Sequence, residues 1–230
     1  MSRSKRFKTT GVPQLILLSG NKDEPCFFVD KDYTYFLELL DQVATEFNCE
    51  IHAYVLMPNH VHLLATPHSS QGLPNLMQSL SARYATHIKT TYGRTDNIWQ
   101  SGYKSCPVES ELFLLKTMYY IEQNPVRASL VDQLADYRWS SYSHNALAEI
   151  SPTISAHALY LNLSEDNSSR AAAYLKLISQ PLDADTVNLI GEAMDAQQVL
   201  GSDEFAEKIS SADSEEYDPA NCTTGCVMFY

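Results

Sequence analysis

The stretch IHAYVLMPNHVHLLAT, residues 51–66, leaves the chain few choices. Two β-rich runs flank Pro58-Asn59, a turn dipeptide, so the segment reads as a β-hairpin. Residues i and i+2 of a strand point to the same face. His60 and His62 therefore project together, with Val61 turned away. Two imidazoles side by side on a rigid sheet can form two legs of a metal site. An H-x-H pair also arises by chance, so a metal reading needs a further ligand.

The surrounding elements extend the hairpin into a fold. PQLILLS (13–19) is a short apolar strand. A helix follows, which Asp30 or Asp32 can cap, with Tyr33, Phe36, Leu37, Leu40, Val43, Ala44 and Phe47 at helical spacing. After the hairpin a second helix carries Leu73, Leu76, Met77, Leu80, Tyr84 and Ile88 on one stripe, and YKSCPV (103–108) is a fourth strand. The order β-α-β-β-α-β predicts an α+β, ferredoxin-like antiparallel sheet with helices on one face. A third helix over 109–124 is expected to end at Asn124-Pro125, because the residue before proline is biased out of the helical region.

The character changes near residue 145. Residues 1–145 read as one domain, 146–202 as a helical extension, and 203–230 as an acidic, largely disordered tail, with a short helix possible at SDEFAEKI. No apolar run approaches the roughly 18 residues of a membrane-spanning helix. The apolar LILL near the N-terminus is too short for a signal peptide. The five cysteines (Cys26, Cys49, Cys106, Cys222, Cys226) are odd in number and scattered, unlike a disulfide framework. Cys222 and Cys226 have no second pair with which to hold zinc. A cytoplasmic protein with reduced thiols is expected.

Net charge is -12, which by itself argues against a nucleic-acid partner. Its distribution alters that argument. Residues 1–150 carry 13 Lys+Arg against 15 Asp+Glu, whereas residues 151–230 carry 3 against 13. The acidity belongs to the C-terminal part. Arg3, Lys5, Arg6 and Lys8 stand at the N-terminus with no acid among them, as a phosphate-binding arm or a solvated end. In the middle region Arg83, Lys104 and Arg127 lie among tyrosines and tryptophans, a mixture that suits single-stranded nucleic acid.

The third helix offers the missing ligand. Tyr120 and Asn124 are four apart and share a helix face. A tyrosine hydroxyl can attack a phosphodiester if a divalent cation polarises the phosphate. Asn124 could present its amide oxygen to that cation, and two imidazoles plus one oxygen with open positions suit Mg²⁺ or Mn²⁺. Equally, spacing alone allows Tyr120 to be a core tyrosine and Asn124 a helix cap.

HAYVLMPNHVHLLATP, followed about sixty residues later by YIEQNPVRASLV, resembles the tyrosine transposases of the HUH superfamily. The chain is most similar to the REP-associated branch of the single-tyrosine insertion-sequence family. The likeness runs over roughly residues 10–145 and includes GN before CFF and WSSY near 139. By this resemblance His60, His62 and Asn124 hold the metal and Tyr120, rather than Tyr119, is the nucleophile. It implies cleavage and rejoining of single-stranded, hairpin-forming DNA of palindromic repeats through a 5′-phosphotyrosine link. It also implies a nucleoid-associated protein. Arg127 is a candidate phosphate contact. The sequence departs from the family at Ser19-Gly20-Asn21 and at WQSGYK, where basic residues usually stand. The rival reading is a hairpin-DNA-binding protein with weak or no catalysis. A phosphohydrolase using a water nucleophile is a third. Monomer and homodimer are equally compatible with the sequence.

Overall fold

The computed structural model describes residues 7, 9–100 and 102–215. Strands β1 (Gln14–Ser19), β2 (Cys49–Met57), β3 (His60–Pro67) and β4 (Lys104–Pro107) form one antiparallel sheet in the order β2-β3-β1-β4. Helices α1 (Asp30–Glu46) and α2 (Gly72–Tyr92) supply the two crossovers. This is the ferredoxin-like arrangement expected from the sequence.

Local chemistry explains the crossover helices. The Asp32 carboxylate accepts from the backbone N–H groups of Phe28 and Val29, which places it at the start of α1. All six apolar residues expected on the α2 stripe are buried. Gly93 then ends α2 in the left-handed region at φ +65°, where glycine has no Cβ to clash. Gly20 follows β1 for a different reason. A Cβ there would lie 2.5 Å from the Glu24 carbonyl oxygen and 2.9 Å from that of Asn59. Its N–H donates to Asn59, 2.7 Å away, locking the Ser19-Gly20-Asn21 loop to the hairpin turn.

The sheet separates two apolar layers. Ile16, Leu18, Leu56, Val61 and Leu63 pack with α1 and α2. Leu15, Val55, Met57, Leu64 and Cys106 face the other way. That second layer is covered by α3 (Ser110–Glu122) and by the C-terminal helices, with Tyr160, Tyr174, Ile190 and Met194 all buried in it. Helices α4 (Asn124–Arg127), α5 (Tyr142–Leu147), α6 (Ala158–Leu161), α7 (Asn167–Leu177), α8 (Ala184–Ala196) and α9 (Asp203–Glu215) complete the chain. The segment read as an extension thus contributes buried residues to this second layer. The backbone of Leu200 bonds Pro107 and Glu109 at the end of β4, adding a parallel bridge to an edge strand.

Two boundaries differ from the sequence reading. α3 ends at Glu122, and a helical turn resumes at Asn124 instead of stopping there. Pro125 lies in the first turn of that new helix, where its missing N–H costs nothing. Helix α9 includes the short helix expected at SDEFAEKI and runs beyond it into the segment read as a largely disordered tail. The rest of that segment, with Cys222 and Cys226, lies outside the described residues, as do Arg3, Lys5, Arg6 and Lys8. Cys26, Cys49 and Cys106 are free and buried. Burial pushes their thiols up to about 12, 11 and 12 respectively, so they pack as small apolar groups. Among the described residues no helix is long and apolar enough to cross a membrane.

His52 is the extra residue of a bulge in β2, where Ile51 pairs with Ala65 and Ala53 with Leu64. The bulge changes the phase of the strand, so that Ile51 faces one layer and Ala53 the other. The His52 ring is buried. Its Nδ1–H donates to the Ser155 carbonyl oxygen (2.7 Å), leaving Nε2 to accept from the Thr66 hydroxyl (2.8 Å). Burial, with His157 nearby, lowers its pKa to about 4 despite the Ser155 bond. The native ring is therefore neutral over a range in which the unfolded ring is charged. The stability it contributes is complete above pH 6.5 and falls away as pH drops from 6.5 through about 4, by of order 3 kcal/mol. Urea unfolding of wild type and His52→Gln between pH 7.5 and 4 should show a shallower acid-side loss in the variant. Parallel curves would remove His52 as a source of acid lability.

Candidate active site

The hairpin phase puts both histidines on the layer that α3 covers. His60 opens β3 opposite Met57 and Ser19. His62 sits in a row across the sheet that runs Val55, His62, Leu17, Lys104. The two rings stand 5.2 Å apart, centroid to centroid, and nearly perpendicular. His60 Nδ1 lies 2.8 Å from the Asn59 side-chain oxygen. An amide oxygen only accepts, so the proton sits on Nδ1 and the lone pair on Nε2. His62 is buried, and its Nδ1 meets no hydrogen-bond partner. Burial, reinforced by His60 and Arg127, lowers its pKa to about 3. Both features suit a neutral imidazole prepared to ligate.

The third helix brings Tyr120 to this pair. Its ring is half-buried and meets His62 edge-on, with 6.2 Å between centroids. The Arg127 guanidinium lies 4.0 Å from the centre of the Tyr120 ring, and its Nη1 donates to the Tyr120 carbonyl oxygen at 2.9 Å. Burial raises the Tyr120 hydroxyl above its ordinary range, while Arg127 opposes that rise. Asn124, one turn on, begins α4 and is half-buried. Among the described residues no three His, Cys, Asp or Glu side chains converge to hold a metal ion. A cation held by His60 and His62 would need an oxygen from another residue type, and the Asn124 amide has the right chemistry.

The other sequence candidates scatter. Arg83 lies on α2, in the opposite layer, and pairs with Glu46 of α1 at 2.7 Å. Lys104 shares the face of His62, but its ammonium pairs with Asp195 of α8 at 2.7 Å. Arg127 is turned onto Tyr120 itself.

Two neighbours of the site were missed by the sequence reading. Helix α8 passes over Tyr120, whose hydroxyl lies 3.9 Å from where a Cβ on Gly191 would stand. No local pattern announces that approach, because 71 positions of chain separate the two residues. The other is Glu122, fully buried directly behind the tyrosine. Its signal was legible: an acid among the buried positions Leu114, Met118 and Ile121 demands partners inside the fold. Burial raises its pKa to about 7, against the opposing pull of three hydrogen bonds.

Residues 15–124, from the first strand through Asn124, match the family model for IS200-like transposases. Over that segment the chain is similar to IS200-like transposases. The REP-associated tyrosine transposase bound to a REP hairpin is a similar solved structure, at 18% identity and a TM-score of 0.52. That match covers 73% of this chain and 96% of the other, and it supports the fold. A Deinococcus radiodurans R1 protein described as a transposase also matches, at 18% identity and a TM-score of 0.38, over 52% of this chain and 95% of the other. No curated protein matches the chain. The matched segment thus contains both histidines, Tyr120 and Asn124, while Arg127, α5–α9 and the Glu122 partners lie beyond it.

The packing of Arg127 on Tyr120 has a measurable consequence. Arg127→Met should lower unfolding free energy by roughly 1–3 kcal/mol in urea titrations, since a partly buried cation–π contact and a charge-assisted bond are lost together. Arg127→Lys should recover less than half, because an ammonium cannot stack flat on the ring. Equal stability of Arg127→Lys and wild type would show that charge alone matters there.

Proposed function

We propose that the protein is a single-stranded DNA endonuclease and strand transferase acting on hairpin-forming DNA. The observation that carries this reading is the contact of Tyr120 with the buried, neutral His62, next to His60, in an IS200-like transposase domain. Tyr120 Oη gives up its proton to solvent and attacks the scissile phosphorus; the P–Oη bond forms as the P–O3′ bond breaks, the 5′ phosphate stays on the tyrosine, and the 3′ oxygen takes up a proton and leaves as a hydroxyl. The reverse attack by a 3′-hydroxyl restores the phosphodiester and releases the tyrosine. The covalent link conserves the bond energy, so no nucleotide cofactor is needed.

His60, His62 and Asn124 would hold a divalent cation, Mg²⁺ or Mn²⁺. Bound there, the cation supplies Lewis-acid polarisation of the phosphate and steadies the leaving oxygen. His62 arrives neutral, so its lone pair needs no deprotonation first. Arg127 steadies the tyrosine ring and lies close enough to favour its phenolate. A hairpin substrate is supported by the fold shared with a transposase solved on a REP hairpin. Lys104, on the same sheet face, becomes available to a phosphate when Asp195 releases it.

A second reading is a hairpin-binding protein with little turnover. It is favoured by α8, which lies against the Tyr120 hydroxyl and places Asp195 on Lys104.

The two readings separate in one experiment. Protein is incubated with Mn²⁺ and hairpin oligonucleotides from repeats beside its own gene, then run on a denaturing gel. The endonuclease gives a covalent protein–DNA band that disappears with Tyr120→Phe and with chelator, and that falls at least 100-fold with His62→Ala. Hairpin binding in a mobility-shift assay with no covalent band supports the second reading. Cleavage that survives Tyr120→Phe would instead identify a water nucleophile.

A further inference from the structure

Helix α3 has an unusual problem of orientation. Phe113, Leu114, Leu115, Met118, Tyr119, Tyr120 and Ile121 make it apolar nearly all the way round. Hydrophobic burial is non-directional and fixes the rotation of such a helix poorly. Yet Tyr120 and Asn124 must face His60 and His62, and an error of about 1 Å at reacting groups can cost on the order of 100-fold in rate.

Glu122 provides direction. It lies between Tyr120 and Asn124, and two residues along a helix is about 200° around it, so its carboxylate points away from them. The side chain is 1% exposed, and both oxygens are occupied. Oε1 accepts from Ser141 Oγ and from Asn145 Nδ2, each at 2.7 Å. Oε2 accepts from Tyr174 Oη at 2.9 Å. These partners are themselves held. Ser141 and Tyr54 of β2 exchange hydrogen bonds, with Ser141 N–H donating to the Tyr54 carbonyl at 2.9 Å and Tyr54 N–H donating to Ser141 Oγ at 3.1 Å. Asn145 Nδ2 also reaches the His52 carbonyl at 3.3 Å, and its own carbonyl accepts from Tyr160 Oη at 2.7 Å. One carboxylate therefore ties the back of α3 to β2, α5, α6 and α7.

We propose that Glu122 is a positioning residue whose buried hydrogen bonds set the rotation of α3, and so hold Tyr120 and Asn124 toward His60 and His62. The proposal rests on the reading of those four residues as a metal-dependent nucleophilic site. It also gives the C-terminal helices a role in the chemistry without contact with DNA. Directional buried polar groups specify one arrangement among several that apolar packing alone would allow.

The test uses full-length protein and reads Mn²⁺ affinity by electron paramagnetic resonance, without DNA. The same samples give the rate of covalent adduct formation at saturating hairpin. Four proteins are compared: wild type, Glu122→Gln, Glu122→Leu and Tyr174→Phe, all well below their melting temperatures. Glu122→Gln keeps the shape and the Oε1 acceptor, and should stay within about threefold of wild type. Glu122→Leu removes every bond and should weaken Mn²⁺ binding about 10–100-fold, the usual range when a ligand loses its support. Adduct formation should slow with it, while hairpin affinity holds. If Glu122→Leu does not fold, Tyr174→Phe, which removes one bond, should show a smaller loss in the same direction. A folded Glu122→Leu, or failing that a folded Tyr174→Phe, with wild-type Mn²⁺ affinity would overturn the proposal and leave the endonuclease reading intact. Wild type that binds no Mn²⁺ would overturn the metal site itself, and the positioning role with it.

Discussion

Everything in this structure depends on the phase of β3. The strand is flanked on both sides, by β2 and by β1, and its side chains alternate strictly between two layers. Val61, Leu63 and Ala65 belong to the core under α1 and α2, and Leu64 to the core under α3. His60 and His62 share the face of Leu64. A slip of one residue would send the histidines under α1 and α2, away from Tyr120. Two neighbours oppose such a slip. Gly20 allows the β1 loop to close on the Asn59 carbonyl, and the His52 bulge resets β2 so that both of its faces meet their layers.

The second layer is where the fold becomes a site. His62 is buried there with an unpartnered Nδ1 and a pKa lowered by that burial. Arg127 sits on the Tyr120 ring rather than in solvent. The C-terminal helices then close this layer. They bury apolar residues against the sheet, grip Glu122 from behind α3, and bring Gly191 to the tyrosine hydroxyl. Their acidity has a local expression in Asp195, which neutralises Lys104 beside the histidine row. The charge division seen in the sequence is thus carried into contact with the site.

Much of this is legible in the order of residues alone. The apolar runs either side of Pro58-Asn59 dictate a hairpin, and period two alone places His60 and His62 on one face. The period of 3.6 places Tyr120 and Asn124 one helical turn apart on a shared face, and it names the buried residues of α2 one by one. These are local regularities, carried by steric rules that act over a few residues. Asn124 shows their limit. A proline rule that looks one residue ahead ends the helix there, whereas packing of Pro125 and the bonds from Arg127 and Ala128 restart it.

What only the tertiary structure decided is which elements meet. The sequence by itself determined two histidines on one strand face and a tyrosine and an asparagine on one helix face, because backbone geometry sets both periods. It did not determine that Tyr120 meets His62, that Arg83 falls in the far layer, or that Arg127 turns onto Tyr120. Nor did it determine that Glu122 finds Ser141, Asn145 and Tyr174. Those pairings join residues far apart in the chain, and many compact arrangements satisfy non-directional apolar burial equally well. The choice among them is made by strand register and by a few buried, directional hydrogen bonds, which exist only once the whole chain has closed around them.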